Sequence, residues 1–234
     1  MFFDPLHIGL IIATLVISGA AQLYIRSTYG RWSKVANGAR LGGAQIAEFL
    51  RERARFGDKP GHEAITAIKI VPGNLSDHFD PRDRSLGLSP DVAQQPTIAA
   101  MAIAAHEVGH AQQHAEGSPL MALRSLLVPA ASLGPNVGYI LIIAGVIFQM
   151  TGLITLGILF FGIAVVFSIL TLPVEIGASR RALGMLDSTG LVTSDEERRG
   201  AQSMLTAAAL TYVAAAITAV LTLLYYLTLA RRGR

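Results

Sequence analysis

The stretch AAHEVGHAQQH, residues 104–114, sets three histidines and a glutamate in a chain otherwise rich in Ala, Leu, Ile and Gly. On an α-helix, residues i and i+4 leave the same face, so His106 and His110 can each aim a ring nitrogen at one ion. Glu107 stands beside that ion rather than beneath it. The pattern is H-E-x-x-H, in which two imidazoles hold zinc and the carboxylate takes a proton from the attacking water. The residue types suit the chemistry. Neutral imidazoles leave the ion enough Lewis acidity to bring the pKa of a water ligand to about 7, where a carboxylate can shuttle its proton. A Glu beside two His, set among small apolar residues, would also be costly to bury without a ligand.

Catalytic zinc sites use three protein ligands and leave the fourth position to water, so a third residue is required. The chain has no cysteine, which restricts the choice to His, Asp or Glu. His114 continues the i, i+4 series but lies about 12 Å along the helix axis from His106, too far for one ion. Glu116 falls where the extended H-E-x-x-H-x-x-G-x-x-H pattern has its last His, and Gln113 replaces the turning Gly, so Glu116 is poorly placed. Glu175, in LPVEIGASRRAL, comes directly after an apolar run and is followed by small residues that let helices approach. Its alternative role is an ion pair with Arg180 or Arg181. An intramembrane-protease arrangement would put the His pair inside a span with an LDG partner, whereas LDS, at 186–188, sits in a polar stretch.

The elements that must position these residues follow from composition. Of the 234 residues, 52% are hydrophobic and 15% charged, with a positive mean hydropathy, so a membrane protein is expected. Residues 6–25 supply the roughly 20 apolar residues that span a bilayer and carry no positive charge ahead of them, which predicts a retained anchor rather than a signal peptide. Two further spans, 128–150 and 153–172, form a helical hairpin across Thr151-Gly152, and 204–229 forms a fourth. The hairpin returns Glu175 to the side on which the histidines lie. Every Lys and Arg other than Arg231, Arg232 and Arg234 falls within 26–127 or 174–203, which places both segments in the cytoplasm. The basic residues form no stripe with interleaved aromatics, and no nucleic-acid partner is expected.

Within 26–127, residues 41–57 space Leu41, Ile46, Phe49, Leu50 and Phe56 for an amphipathic helix. Residues 64–71 alternate as a strand, and the turn PRDR joins two short segments, so a small sheet with a hairpin at 74–88 is predicted. Residues 97–117 read as one helix carrying the histidines. The hairpin just before it, with Asn74, Asp77 and His78, is the candidate substrate-binding strand. Asp77, His78 and Asp80 also offer hard-metal ligands, although a polar hairpin tip explains them as well.

Taken in order, GNLSDHFDPRDRSLGLSP, AAHEVGHAQQH, LVPAASLG, LPVEIGASRRAL and AALTYVAAA resemble blocks of the YugP-type neutral zinc metallopeptidases of bacterial membranes. The resemblance runs from Tyr24 to Ala216 and implies a membrane-embedded zinc peptidase. The related HtpX-type enzymes place an Asp four residues after the ligand Glu, where this chain has Ser179. The expected fold is mainly α: an integral membrane helical protein with about four transmembrane helices and a small α+β zincin-like cytoplasmic domain. Its parts are an anchor (1–25), the zincin-like domain (26–127), the membrane hairpin (128–172), a cytoplasmic segment with the third ligand (173–203), and a last span with a basic tail (204–234). The expected activity is hydrolysis of a peptide or membrane-protein substrate at the bilayer, with Glu107 as general base and one zinc ion on His106, His110 and Glu175. The alternative is a non-catalytic scaffold with a structural metal.

Overall fold

The computed structural model describes residues 4–232; Met1–Phe3 of the expected anchor and the last two residues of the basic tail lie outside the described residues. Among the described residues, four helices are long and apolar enough to cross a membrane: α1 (Pro5–Trp32), α6 (Pro119–Ile147), α7 (Thr151–Ser188) and α8 (Asp195–Arg232). The protein is thus a multi-pass membrane protein. Between α1 and α6 lie α2 (Gly43–Arg53), α3 (Gly61–Ala64), β1 (Ala67–Ile70), β2 (His78–Asp80), β3 (Ser85–Leu88), α4 (Pro90–Gln94) and α5 (Ile98–Ala115).

The helices outrun the apolar runs of the sequence. Backbone hydrogen bonding does not stop where hydropathy falls, so α7 continues past Leu172 through the polar residues to Ser188, and α8 begins at Asp195. The hairpin turn lies at Phe148–Met150 rather than at Thr151-Gly152. Gln149 adopts φ 55°, and the amides of Gln149 and Met150 close the end of α6 on the carbonyls of Val146 and Gly145.

The chain divides into two compact units. One comprises the described parts of Met1–Gln22, Ala122–Pro173 and Thr211–Arg234. Within it Ile142, Ile154 and Ile158 pack with Leu223 and Tyr226. A Cβ on Gly138 would stand 2.7 Å from the Gly157 carbonyl, and one on Gly157 2.6 Å from that of Gly138, so the paired glycines allow α6 and α7 to touch. Leu15, Val16, Leu126, Leu133, Ile140 and Leu159 remain exposed, as side chains facing lipid do.

The other unit comprises Leu23–Met121 and Val174–Leu210. Its sheet has the order β1-β3-β2: β1 runs parallel to β3 from Ala67↔Ser85 to Ile70↔Leu88, and β2 pairs antiparallel with β3 from His78↔Gly87 to Asp80↔Ser85. Asp83 closes the β2–β3 turn by accepting from the amide and hydroxyl of Ser85. Helix α5 is the centre of this unit. Thr97 caps it by accepting from the Ala100 amide at 3.2 Å, and its alanines bury every side of the first three turns with little side-chain entropy to lose. It ends at Gly117, φ 71°, where the amides of Gly117 and Ser118 bond the carbonyls of His114 and Gln113. Around α5, Ile46, Leu50, Phe56, Leu86, Met101, Val108 and Leu186 form one continuous core.

Candidate metal centre

Helical periodicity sets His106 and His110 on one face of α5, their ring centroids 4.8 Å apart and edge to face. Opposite them stands α7. Gly109 lies between the two histidines, and a Cβ there would meet the Ala178 carbonyl at 2.5 Å, so the α5 and α7 backbones are in contact at this point. Ala178 and Ala182 keep the facing side of α7 equally small. The close approach brings Glu175, one turn before Ala178, onto the imidazoles. Its Oε2 lies 3.1 Å from His106 Nε2 and 3.5 Å from His110 Nε2.

One ligand atom from each of His106, His110 and Glu175 falls within 4.8 Å of the others, and all three residues are buried, Glu175 to 1% exposure. Two imidazole nitrogens and one carboxylate oxygen form the donor set of a zinc centre with an open fourth position, so the residues fit that ion. Among the described residues this is the one group of His, Asp and Glu placed to hold a metal. Glu107 is also buried beside it. Burial pushes its pKa up to about 7, His106 pulls the other way, and the Glu175 carboxylate adds to the rise. A carboxyl with that affinity for protons can both accept and return one near neutral pH.

The other sequence candidates have different partners. The guanidinium of Arg181 pairs with Glu116, which is not among the residues placed together to hold a metal. His114 packs its ring against Phe79, with centroids 5.7 Å apart. Asp77 accepts from the amide and hydroxyl of Ser89, Asp80 binds Arg82, and His78 Nδ1 lies 2.8 Å from the Ser76 carbonyl. Asn74 is exposed on the segment leading into the edge strand β2, and His78 is exposed at its first residue.

Three residues in this centre were not picked out as functional in the sequence. Gly109 makes the helix contact. The hydroxyl of Ser179, one turn beyond Glu175, lies 3.3 Å from His106 Nδ1. Gln113 Oε1 lies 3.1 Å from His110 Nδ1. Spacing of i+3 from His110 and i+4 from Glu175 was the available signal.

The profile of the family described as "Putative neutral zinc metallopeptidase" matches residues 7–231. The chain is also 37% identical, over 229 residues and 98% of each chain, to the protein of Bacillus subtilis (strain 168) described as "Putative membrane protease YugP". No solved structure matches it significantly.

Proposed function

Because the chain belongs to the neutral zinc metallopeptidase family, we propose that His106, His110 and Glu175 hold one zinc ion per chain and that Glu107 is the general base of peptide-bond hydrolysis. The observation that carries this reading is the convergence of three buried donor atoms from α5 and α7, with a second buried carboxyl, that of Glu107, outside that group of three. A zinc ion held by His106, His110 and Glu175 would supply Lewis acidity beside Glu107. Glu107 accepts the proton of the attacking water and delivers it to the departing amine, which its raised proton affinity equips it to do. Burial of the whole group excludes competing bulk water and strengthens each charge interaction. Edge strand β2, paired on one side only, offers backbone groups to an extended peptide, with Asn74, Asp77 and His78 alongside. The substrate is a peptide or a membrane protein. The distribution of Lys and Arg favours a cytoplasmic position for the active site.

The test is metal analysis and peptide cleavage by the detergent-purified wild type and Glu107→Gln. Both should hold one zinc per chain, and the variant should lose cleavage by about 100-fold or more. Zinc in the wild type without cleavage of any member of a peptide library would indicate a structural metal in a scaffold.

A further inference from the structure

We infer that Gln113 is a positioning residue that ties the second ligand, His110, to the backbone of the third, Glu175, and fixes which nitrogen of His110 faces the metal; this rests on the metal-centre reading above. Gln113 is buried at 4% exposure, and both ends of its amide are engaged. Its Nε2 donates to the Val174 carbonyl at 2.8 Å, and its Oε1 lies 3.1 Å from His110 Nδ1. The carbonyl of Val174 can only accept, so it determines the orientation of the amide. A flipped amide would set oxygen against oxygen. With Oε1 thereby turned to the imidazole, Gln113 favours the His110 tautomer that carries its proton on Nδ1, against the Glu175 carboxylate on the other side of the ring, which can only accept from Nε2. In that tautomer the lone pair is on Nε2, the nitrogen on the Glu175 side, where a metal ion would take it.

The strap is structurally specific. Val174 directly precedes Glu175, so a single side chain couples a ligand on α5 to the segment of α7 that presents the carboxylate. Gly177 makes room for it: a Cβ there would stand 2.7 Å from Gln113 Nε2. His106 is held differently. Its Nδ1 faces the Ser179 hydroxyl at 3.3 Å, and a hydroxyl that can donate or accept imposes no tautomer. Outer hydrogen-bond partners of this kind typically contribute roughly 10–100-fold to metal affinity.

The inference is tested on the full-length protein in detergent by two readouts: zinc affinity by chelator competition, and the tautomer of His110 in the metal-free protein by 15N-histidine NMR. The variants are Gln113→Leu, which removes both bonds at similar volume, and Gly177→Ala, which displaces the amide without altering a ligand. Gln113→Leu should bind zinc 10–100-fold more weakly and hold a smaller Nδ1-protonated fraction of His110 than the wild type. Gly177→Ala should move both readouts the same way to a smaller extent, and carries the test alone if Gln113→Leu does not fold. Wild-type affinity and tautomer in the variants, with zinc bound by the wild type, would overturn the role of Gln113 alone. A wild type that binds no zinc would overturn the metal centre, and this inference with it.

Discussion

In the unit built from Ala122–Pro173 and the two chain ends, hydroxyls return their hydrogen bonds to their own helix: Ser168 to the Ala164 carbonyl, Thr171 to Phe167, Thr222 to Thr218. In the unit built around α5, the polar side chains of the metal centre reach off their helix instead. Glu175 meets His106 and His110 from 69 and 65 residues away, and Gln113 reaches Val174. Both habits satisfy buried polar groups. Only the second brings ligand atoms from two helices to one point, and that is what a metal needs. A polar residue in an apolar chain therefore signals function by where its partner comes from, more than by its mere presence.

Glycine substitutions break the comparison most strongly. Gly109→Leu drives side-chain atoms into the Ala178 carbonyl, separating α5 from α7, and should abolish zinc binding as well as costing roughly 1–3 kcal/mol of stability. Gly138→Leu meets the Gly157 carbonyl in the same way and should lower stability by a similar amount while leaving zinc affinity unchanged. Zinc titration and thermal unfolding of the two variants side by side separate these effects.

The metal-free protein offers a second contrast. Glu107 holds its proton up to about pH 7 in the fold, against 4.5 ordinarily, so the folded state binds more protons than the unfolded state between those values. Its contribution to stability is complete below about pH 4.5 and is lost as pH rises through about 7. The loss is roughly 3 kcal/mol, at about 1.4 kcal/mol per pKa unit. Denaturant unfolding of the chelated protein should show this decline, and Glu107→Gln should remove that part of the slope.

Smaller effects belong to groups outside the centre. Glu116→Gln breaks a partly exposed pair with Arg181 and should cost no more than about 1 kcal/mol, with zinc content and cleavage intact. Ser168→Ala removes a hydrogen bond made within its own helix and should change stability by less than about 0.5 kcal/mol. Unfolding midpoints would register both.

The parts of the centre written in local spacing were legible in the sequence. The placing of His106 and His110 on one helical face, with Glu107 beside them, follows from helical periodicity alone, and the position of Glu175 directly after an apolar run marked it as the third candidate. The extension of α7 was not legible, because hydropathy marks where a helix meets lipid and not where its hydrogen bonds end. Nor was the parallel pairing of β1 with β3, since a strand of four residues encodes its period but not its partner. Gln113 stood in view three residues after His110, yet its role depends on a carbonyl 61 residues away. Gly109 carries no local signal of its role, which depends on the Ala178 carbonyl of α7.

The zinc content of Glu175→Ala tests the central claim most directly, because this ligand joins the two helices and is not part of the H-E-x-x-H motif. Purified and folded, the variant should hold well under one equivalent of zinc and cleave no peptide, whereas Glu107→Gln, measured in parallel, should hold a full equivalent and also fail to cleave. A full equivalent of zinc with normal cleavage in Glu175→Ala would contradict the three-ligand centre on α5 and α7.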